Sequence, residues 1–182
     1  MKLHAFVVMP FGKRTAPEGT VIDFNAVYKT LLKPAIKSSA GPEVFRADEE
    51  QAAGDIKTDM AQEFLIADLV VADLTLGNLN VFYELGVRHA LGSKGTVLVH
   101  GPRATQPFDI YTGRKLNYSL HNGLPDPATL KKVQAALTKM IKATLASWHE
   151  RKISLVCQLL PNLKELPAEK LMRSFSPTRY IT

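Results

Sequence analysis

The sequence predicts an open α/β fold in which a parallel sheet is covered by helices on both faces. Three observations carry this. Residues 3–9 and 69–74 are short, nearly continuous apolar runs rich in Val, as strands buried on both faces require. Between the strand-like runs lie segments whose apolar residues recur at helical spacing, an alternation that produces parallel sheets. The second run stops at a carboxylate and a turn, Asp73-Leu74-Thr75-Leu76-Gly77-Asn78, and a helical segment follows at once. In such sheets the ligand crevice lies outside the carboxyl ends of the strands.

Taken in order, residues 3–9 form a first strand that Pro10-Phe11-Gly12 stops. Residues 13–22 read as a loop containing Pro17 and Gly19. Asp23 is a good N-cap, and Phe24, Val27, Leu31 and Leu32 follow at helical spacing to about Ser38. Pro34 should kink or shorten that helix. After the Gly41-Pro42 break, residues 43–46 make a second strand and 47–53 an acidic loop. Gly54-Asp55 opens a second helix with Ile56, Met60, Phe64 and Leu65 on one face. The third strand is 69–74. The next helix spans about 80–91, with Gly92 as its C-terminal cap. Residues 96–100 form the fourth strand, 101–113 a Pro/Gly loop, and 116–120 a fifth strand. Asp126-Pro127 then opens the longest helix, to about 150, with Leu130, Val133, Leu137, Ile141 and Leu145 in period.

Five strands and about five helices match a flavodoxin-like three-layer sandwich, sheet order 2-1-3-4-5, with its switch point between the first and third strands. Residues 1–150 make the domain. Residues 151–182 change character and read as a C-terminal helical extension, or as a linker to further domains.

Composition narrows the function classes. The chain has 182 residues, enough for one domain, and 46% apolar content, which suits a packed core. No apolar run is long enough to span a bilayer, so no membrane role is expected. The lone Cys157 and a start with no good export signal fit a reducing cytoplasm. The five His are scattered, so neither a metal site nor a bound cofactor is expected. Net charge is +6, but the basic excess after residue 113 looks like solvated helix faces and comes without a nucleic-acid motif. Phosphate-loop, dinucleotide, nucleophile-elbow and zincin motifs are all missing.

Glu84 is the residue on which chemistry would rest. A Glu early in a helix is commonly a solvated residue that suits the helix dipole. Here aromatic Phe82 and Tyr83 precede it and Leu85-Gly86 follows, which suggests a partly buried carboxylate. The turn Gly77-Asn78-Leu79-Asn80 brings amide side chains and unpaired backbone N–H groups to the same place. Asp73 is either a ligand-facing carboxylate or a plain cap for the next helix. Arg88 and His89, one turn on, either pair with Glu84 or face solvent.

The run Val81-Phe82-Tyr83-Glu84-Leu85-Gly86-Val87-Arg88-His89-Ala90, with Ala72-Asp73-Leu74-Thr75 before it and Met9-Pro10-Phe11-Gly12 at the first strand, resembles the TIR-like branch of the nucleoside 2-deoxyribosyltransferase superfamily. It is similar in particular to bacterial TIR-like domains related to the N-terminal region of the apoptosis-signal-regulating kinases. Asp23-Phe24-Asn25-Ala26-Val27-Tyr28, Arg46-Ala47-Asp48-Glu49-Glu50 and Gln158-Leu159-Leu160-Pro161-Asn162-Leu163 add to the resemblance, which covers about residues 5–165.

The resemblance implies chemistry at an N-glycosidic bond. In deoxyribosyltransferases the Glu matching Glu84 is the nucleophile on the sugar, and an Asp six residues earlier handles the base. Asn78 stands at that earlier position and cannot transfer a proton. In TIR enzymes the matching Glu contacts the ribose of NAD and supports its cleavage. Nicotinamide leaves as a neutral molecule, so one carboxylate that stabilises an oxocarbenium-like centre suffices. The expectation is therefore a nucleotide N-glycosidase with NAD as substrate and Glu84 as the catalytic residue. Asp73, Thr75, Asn78 and Asn80 would position sugar or base, and Pro10, Phe11 and Gly12 would line the pocket. Phe11 or Tyr83 would stack on the base, and Arg46 or Arg88 would meet phosphates. Expected partners are a nucleotide and further copies of the chain. A non-catalytic nucleotide-sensing or protein-interaction module, and a true deoxyribosyltransferase, are the alternatives.

Overall fold

The computed structural model describes residues 3–41, 43–46, 65–91, 95–102, 114–147, 156, 159–160 and 162. Strands β1 (His4–Val8), β4 (Glu43–Arg46), β5 (Leu69–Asp73), β6 (Gly95–His100) and β7 (Lys115–Asn117) form one parallel sheet in the order β4-β1-β5-β6-β7. Counted within this sheet alone, the order is 2-1-3-4-5, as the sequence predicts. Two hairpins, β2 (Lys13–Thr15) with β3 (Val21–Asp23) and β8 (Leu120–His121) with β9 (Leu124–Pro125), take the remaining labels.

Alternation along the strands divides the core in two. Ala5, Val7, Leu69, Val71, Val97 and Val99 point to one face. There they pack under a helical segment over residues 24–40 and under the C-terminal helix, α4 (Leu130–Ser147). Phe6, Val8, Val70, Ala72 and Leu98 point to the other face, which Val81 and Leu85 of α3 (Leu79–Leu91) cover. Every residue of β5 and β6 is buried, which is why those runs carry no polar alternation.

The segment over 24–40 is α1 (Phe24–Ala26), a π-helical stretch Val27–Leu32, and α2 (Lys33–Ala40). Asp23 caps it, accepting from the Ala26 N–H at 3.0 Å. Pro34 does not break the helix. The wider π turn closes with the Lys33 N–H on the Tyr28 carbonyl, and Pro34 falls in the opening turn of α2, where its missing N–H costs least.

Two expectations change. The loop expected over 13–22 is a hairpin that turns through Pro17-Glu18-Gly19. The strand expected over 116–120 ends at Asn117, and Leu120 begins a second hairpin instead. That hairpin turns on Asn122 and Gly123, both left-handed (φ 51° and 75°) as a two-residue turn requires. A Cβ on Gly123 would lie 1.8 Å from the Val21 carbonyl oxygen, so only glycine lets the hairpin lie against β3. All of the acidic loop over 47–53, residues 54–64 of the helix expected after it, Gly92, residues 103–113 of the Pro/Gly loop and nearly all of 151–182 lie outside the described residues.

Candidate functional site

The carboxyl ends of β1, β4, β5, β6 and β7 meet along one edge of the sheet, and the polar residues there fall into three groups. The first is a buried lock. Asp73 ends β5 with no solvent exposure. Its Oδ1 accepts the Thr75 backbone N–H at 2.9 Å and the Thr75 hydroxyl, and its Oδ2 accepts the Tyr118 hydroxyl at 2.8 Å. Thr75 Oγ1 also accepts the Gly101 N–H at 2.8 Å and lies 2.7 Å from the Tyr118 hydroxyl. A Cβ on Gly101 would sit 3.1 Å from the Tyr118 ring and 3.2 Å from Thr75 Cγ2, so a larger residue here would press on both by a few tenths of an ångström. Burial pushes the Asp73 carboxyl up, against hydrogen bonds from Thr75 and Tyr118 that pull it down. Burial and the neighbouring Asp73 push the Tyr118 hydroxyl well up.

The sequence places Asp73 and Thr75 facing a ligand or capping a helix, and the structure gives them another task. They join the ends of β5 and β6 to the residue after β7. Both are buried, and both oxygens of the Asp73 carboxylate are engaged. Tyr118 goes unnoticed in the sequence because it partners Asp73 across 45 residues.

The second group sits at the carboxyl ends of β1 and β4. Arg46, the last residue of β4, is only 4% exposed. Its guanidinium lies 4.3 Å over the Tyr28 ring and 5.5 Å from the Phe11 ring centroid. Its Nη2 donates to Asn25 Oδ1 at 3.0 Å, and the same oxygen accepts the Gly12 N–H at 3.3 Å. One amide oxygen thus ties the turn after β1 to the end of β4, and two aromatic rings flank the cation. Phe11 and Gly12 of the turn after β1 thus meet Arg46 at the end of β4. Asn25 and Tyr28, three residues apart on one helical face, hold them there.

The third group is α3. Asn78 Oδ1 accepts the N–H groups of Asn80 at 2.9 Å and Val81 at 3.4 Å, an N-cap that consumes its side-chain oxygen. Glu84 lies five residues into the helix and is half-buried. Among the described residues no hydrogen bond or ion pair reaches its carboxylate, and burial alone raises it from 4.5 to about 7. Asn80 and Tyr83 face solvent, Tyr83 at 73% exposure, so neither is gathered into the buried groups.

Arg88 is fully buried and stands at the opposite end of the sheet, because α3 runs antiparallel to β5. It donates from Nη1 to the Leu65 carbonyl at 3.1 Å and from Nη2 to the Ala67 carbonyl at 2.8 Å. Burial lowers its guanidinium to about 10, and Asp68 partly offsets this. It is a clamp on the chain entering β5, not a cation for phosphates at the crevice. His89 is lowered by burial and by Arg88.

Among the described residues no group of three His, Cys, Asp or Glu side chains could hold a metal ion, and no helix is long and apolar enough to cross a membrane. No family model matches this sequence, and no curated protein matches it.

Proposed function

We propose that the chain is a TIR-like nucleotide N-glycosidase that cleaves NAD to nicotinamide and ADP-ribose, with Glu84 as the catalytic carboxylate. The observation that carries the reading is Glu84 itself: half-buried, with no hydrogen-bond partner among the described residues, and raised to about 7. A carboxylate kept from water and from donors gains most when a cationic sugar approaches. The bond between the ribose C1′ and the pyridinium nitrogen breaks, and its electron pair neutralises the nitrogen. Water adds at C1′ and gives its proton to Glu84 or to solvent. The Pro10-Phe11-Gly12 turn, fixed by Asn25 and Arg46, would border the base and phosphates.

The test is to incubate the full chain with NAD and follow nicotinamide release and NAD binding together. Release that Glu84→Gln abolishes and Glu84→Asp partly keeps supports the reading. Release unchanged in Glu84→Gln, or neither release nor binding, overturns it.

A second reading, a nucleotide-sensing or protein-interaction module without turnover, has its own support. Asn78 spends its side-chain oxygen on capping, and Leu79 and Tyr83, one turn apart on α3, are 81% and 73% exposed. Saturable NAD binding with no nicotinamide over long incubation would decide for it.

A further inference from the structure

Residues 24–40 and α4 lie side by side on one face of the sheet, and together they carry seven lysines: Lys29, Lys33, Lys37, Lys131, Lys132, Lys139 and Lys142. Neither contains an Asp or a Glu. The flanking carboxylates, Asp23 and Asp126, are turned onto the backbone N–H groups of Ala26 and Ala128 as caps. This layer therefore carries more positive charge than the +6 of the whole chain. Between α2 and α4 runs an open groove of about 490 Å³. Pro34, Ala35 and Ala135 are among its small apolar lining residues, and Lys131, Lys139 and Lys142 line its α4 side. Among the described residues none of these three lysines has an ion pair.

We propose that this groove docks an acidic segment of a partner protein, with acidic side chains meeting the three lysines and small apolar side chains seated against Pro34, Ala35 and Ala135. The chemistry of the face selects this partner among polyanions. All seven cations are lysine, without the planar fork of arginine that reads phosphate in pairs. The aromatic residues of the two helices, Phe24 and Tyr28, are buried, so among the described residues of this face no ring is offered for bases to stack on. Among the described residues no large apolar side chain on this face is exposed to enter a bilayer. Two polar side chains of the lining are already committed, Gln134 Nε2 to the Thr30 carbonyl at 2.6 Å and Thr138 Oγ1 to the Ala35 carbonyl at 3.0 Å. What remains is charge at the rim and shape at the floor, the two features a helix or strand with acidic flanks uses.

The experiment measures binding of a fluorescein-labelled sixteen-residue peptide, four repeats of Glu-Leu-Glu-Ala, to the full chain by polarisation at two salt concentrations. The Gln-for-Glu peptide, a poly(dT) oligonucleotide and phosphatidylserine vesicles are the comparison ligands. The expected result is salt-sensitive binding of the Glu peptide, weakened at least tenfold by joint Lys131→Glu, Lys139→Glu and Lys142→Glu. Ala135→Phe, which fills the groove without changing charge, should weaken it at least fivefold. Lys29→Glu, on the same face and outside the groove lining, should change it less than threefold. Binding untouched by Ala135→Phe, equal loss from Lys29→Glu, no peptide binding, or tighter binding of the oligonucleotide or vesicles would each overturn the proposal.

Discussion

Gln134 on α4 donates from Nε2 to the carbonyl of Thr30 at 2.6 Å. That carbonyl lies four residues before Pro34, which has no N–H to offer, and a side chain from a helix more than a hundred residues away donates to it. The same contact couples the proline, the π turn and the packing of the two helices.

Gln134→Ala should therefore destabilise the fold by about 0.5–1 kcal/mol, the usual net worth of an accessible hydrogen bond. In a Pro34→Ala background residue 34 can donate to Thr30 itself, and the cost of Gln134→Ala should shrink. A double-mutant cycle by urea denaturation reads the coupling, and additive effects would show that the two residues do not share the carbonyl.

Tyr118→Phe removes the donor to Asp73 Oδ2 and leaves a buried carboxylate oxygen bare. The expected loss is about 1–3 kcal/mol, seen as a lower denaturation midpoint. Because the Tyr118 hydroxyl also reaches Thr75, a double variant with Thr75→Val should lose less than the sum of the single changes.

Arg88→Lys keeps the charge but cannot reach both the Leu65 and Ala67 carbonyls with a fork. It should destabilise by about 1–3 kcal/mol. Any change in NAD binding should follow the fraction folded, because the residue sits away from the crevice. An affinity loss in a fully folded Arg88→Lys protein would contradict that placement.

Glu84 gives a pH signature in stability. Its carboxyl is raised from 4.5 to about 7, so the folded chain holds a proton that the unfolded chain releases between those values. Its contribution is fully present below pH 4.5 and is lost as pH rises through 7. Glu84→Gln, which cannot ionise, should match the wild-type Tm near pH 4.5 and exceed it near pH 8. The proposed reaction needs the ionised carboxylate, so kcat/KM for NAD should climb with pH through about 7 and then level off. A wild-type profile flat from pH 5.5 to 8.5 would remove Glu84 from that role.

The sequence by itself determined the architecture of the sheet. Nearly continuous apolar runs over 3–9 and 69–74 read as strands buried on both faces, and short helical intervals between such runs leave few topologies. It also marked Asp23 and Asp126 as caps, because capping is settled within three residues of chain. Strand order put the turn after β1 at the carboxyl edge of the sheet, but the contact of Phe11 with Arg46 and their tie through Asn25 came only with the tertiary structure. What only the tertiary structure decided was the employment of each polar side chain. Asp73 and Thr75 look alike whether they face a ligand or Tyr118, and Arg88 looks alike whether it meets phosphates or two backbone carbonyls. Desolvation and the partner decide such cases, and both depend on residues far away in the chain: Tyr118 for Asp73, Leu65 and Ala67 for Arg88, Asn25 and Tyr28 for Arg46. Periodicity reports which face a residue occupies; only packing brings the distant atom that completes it.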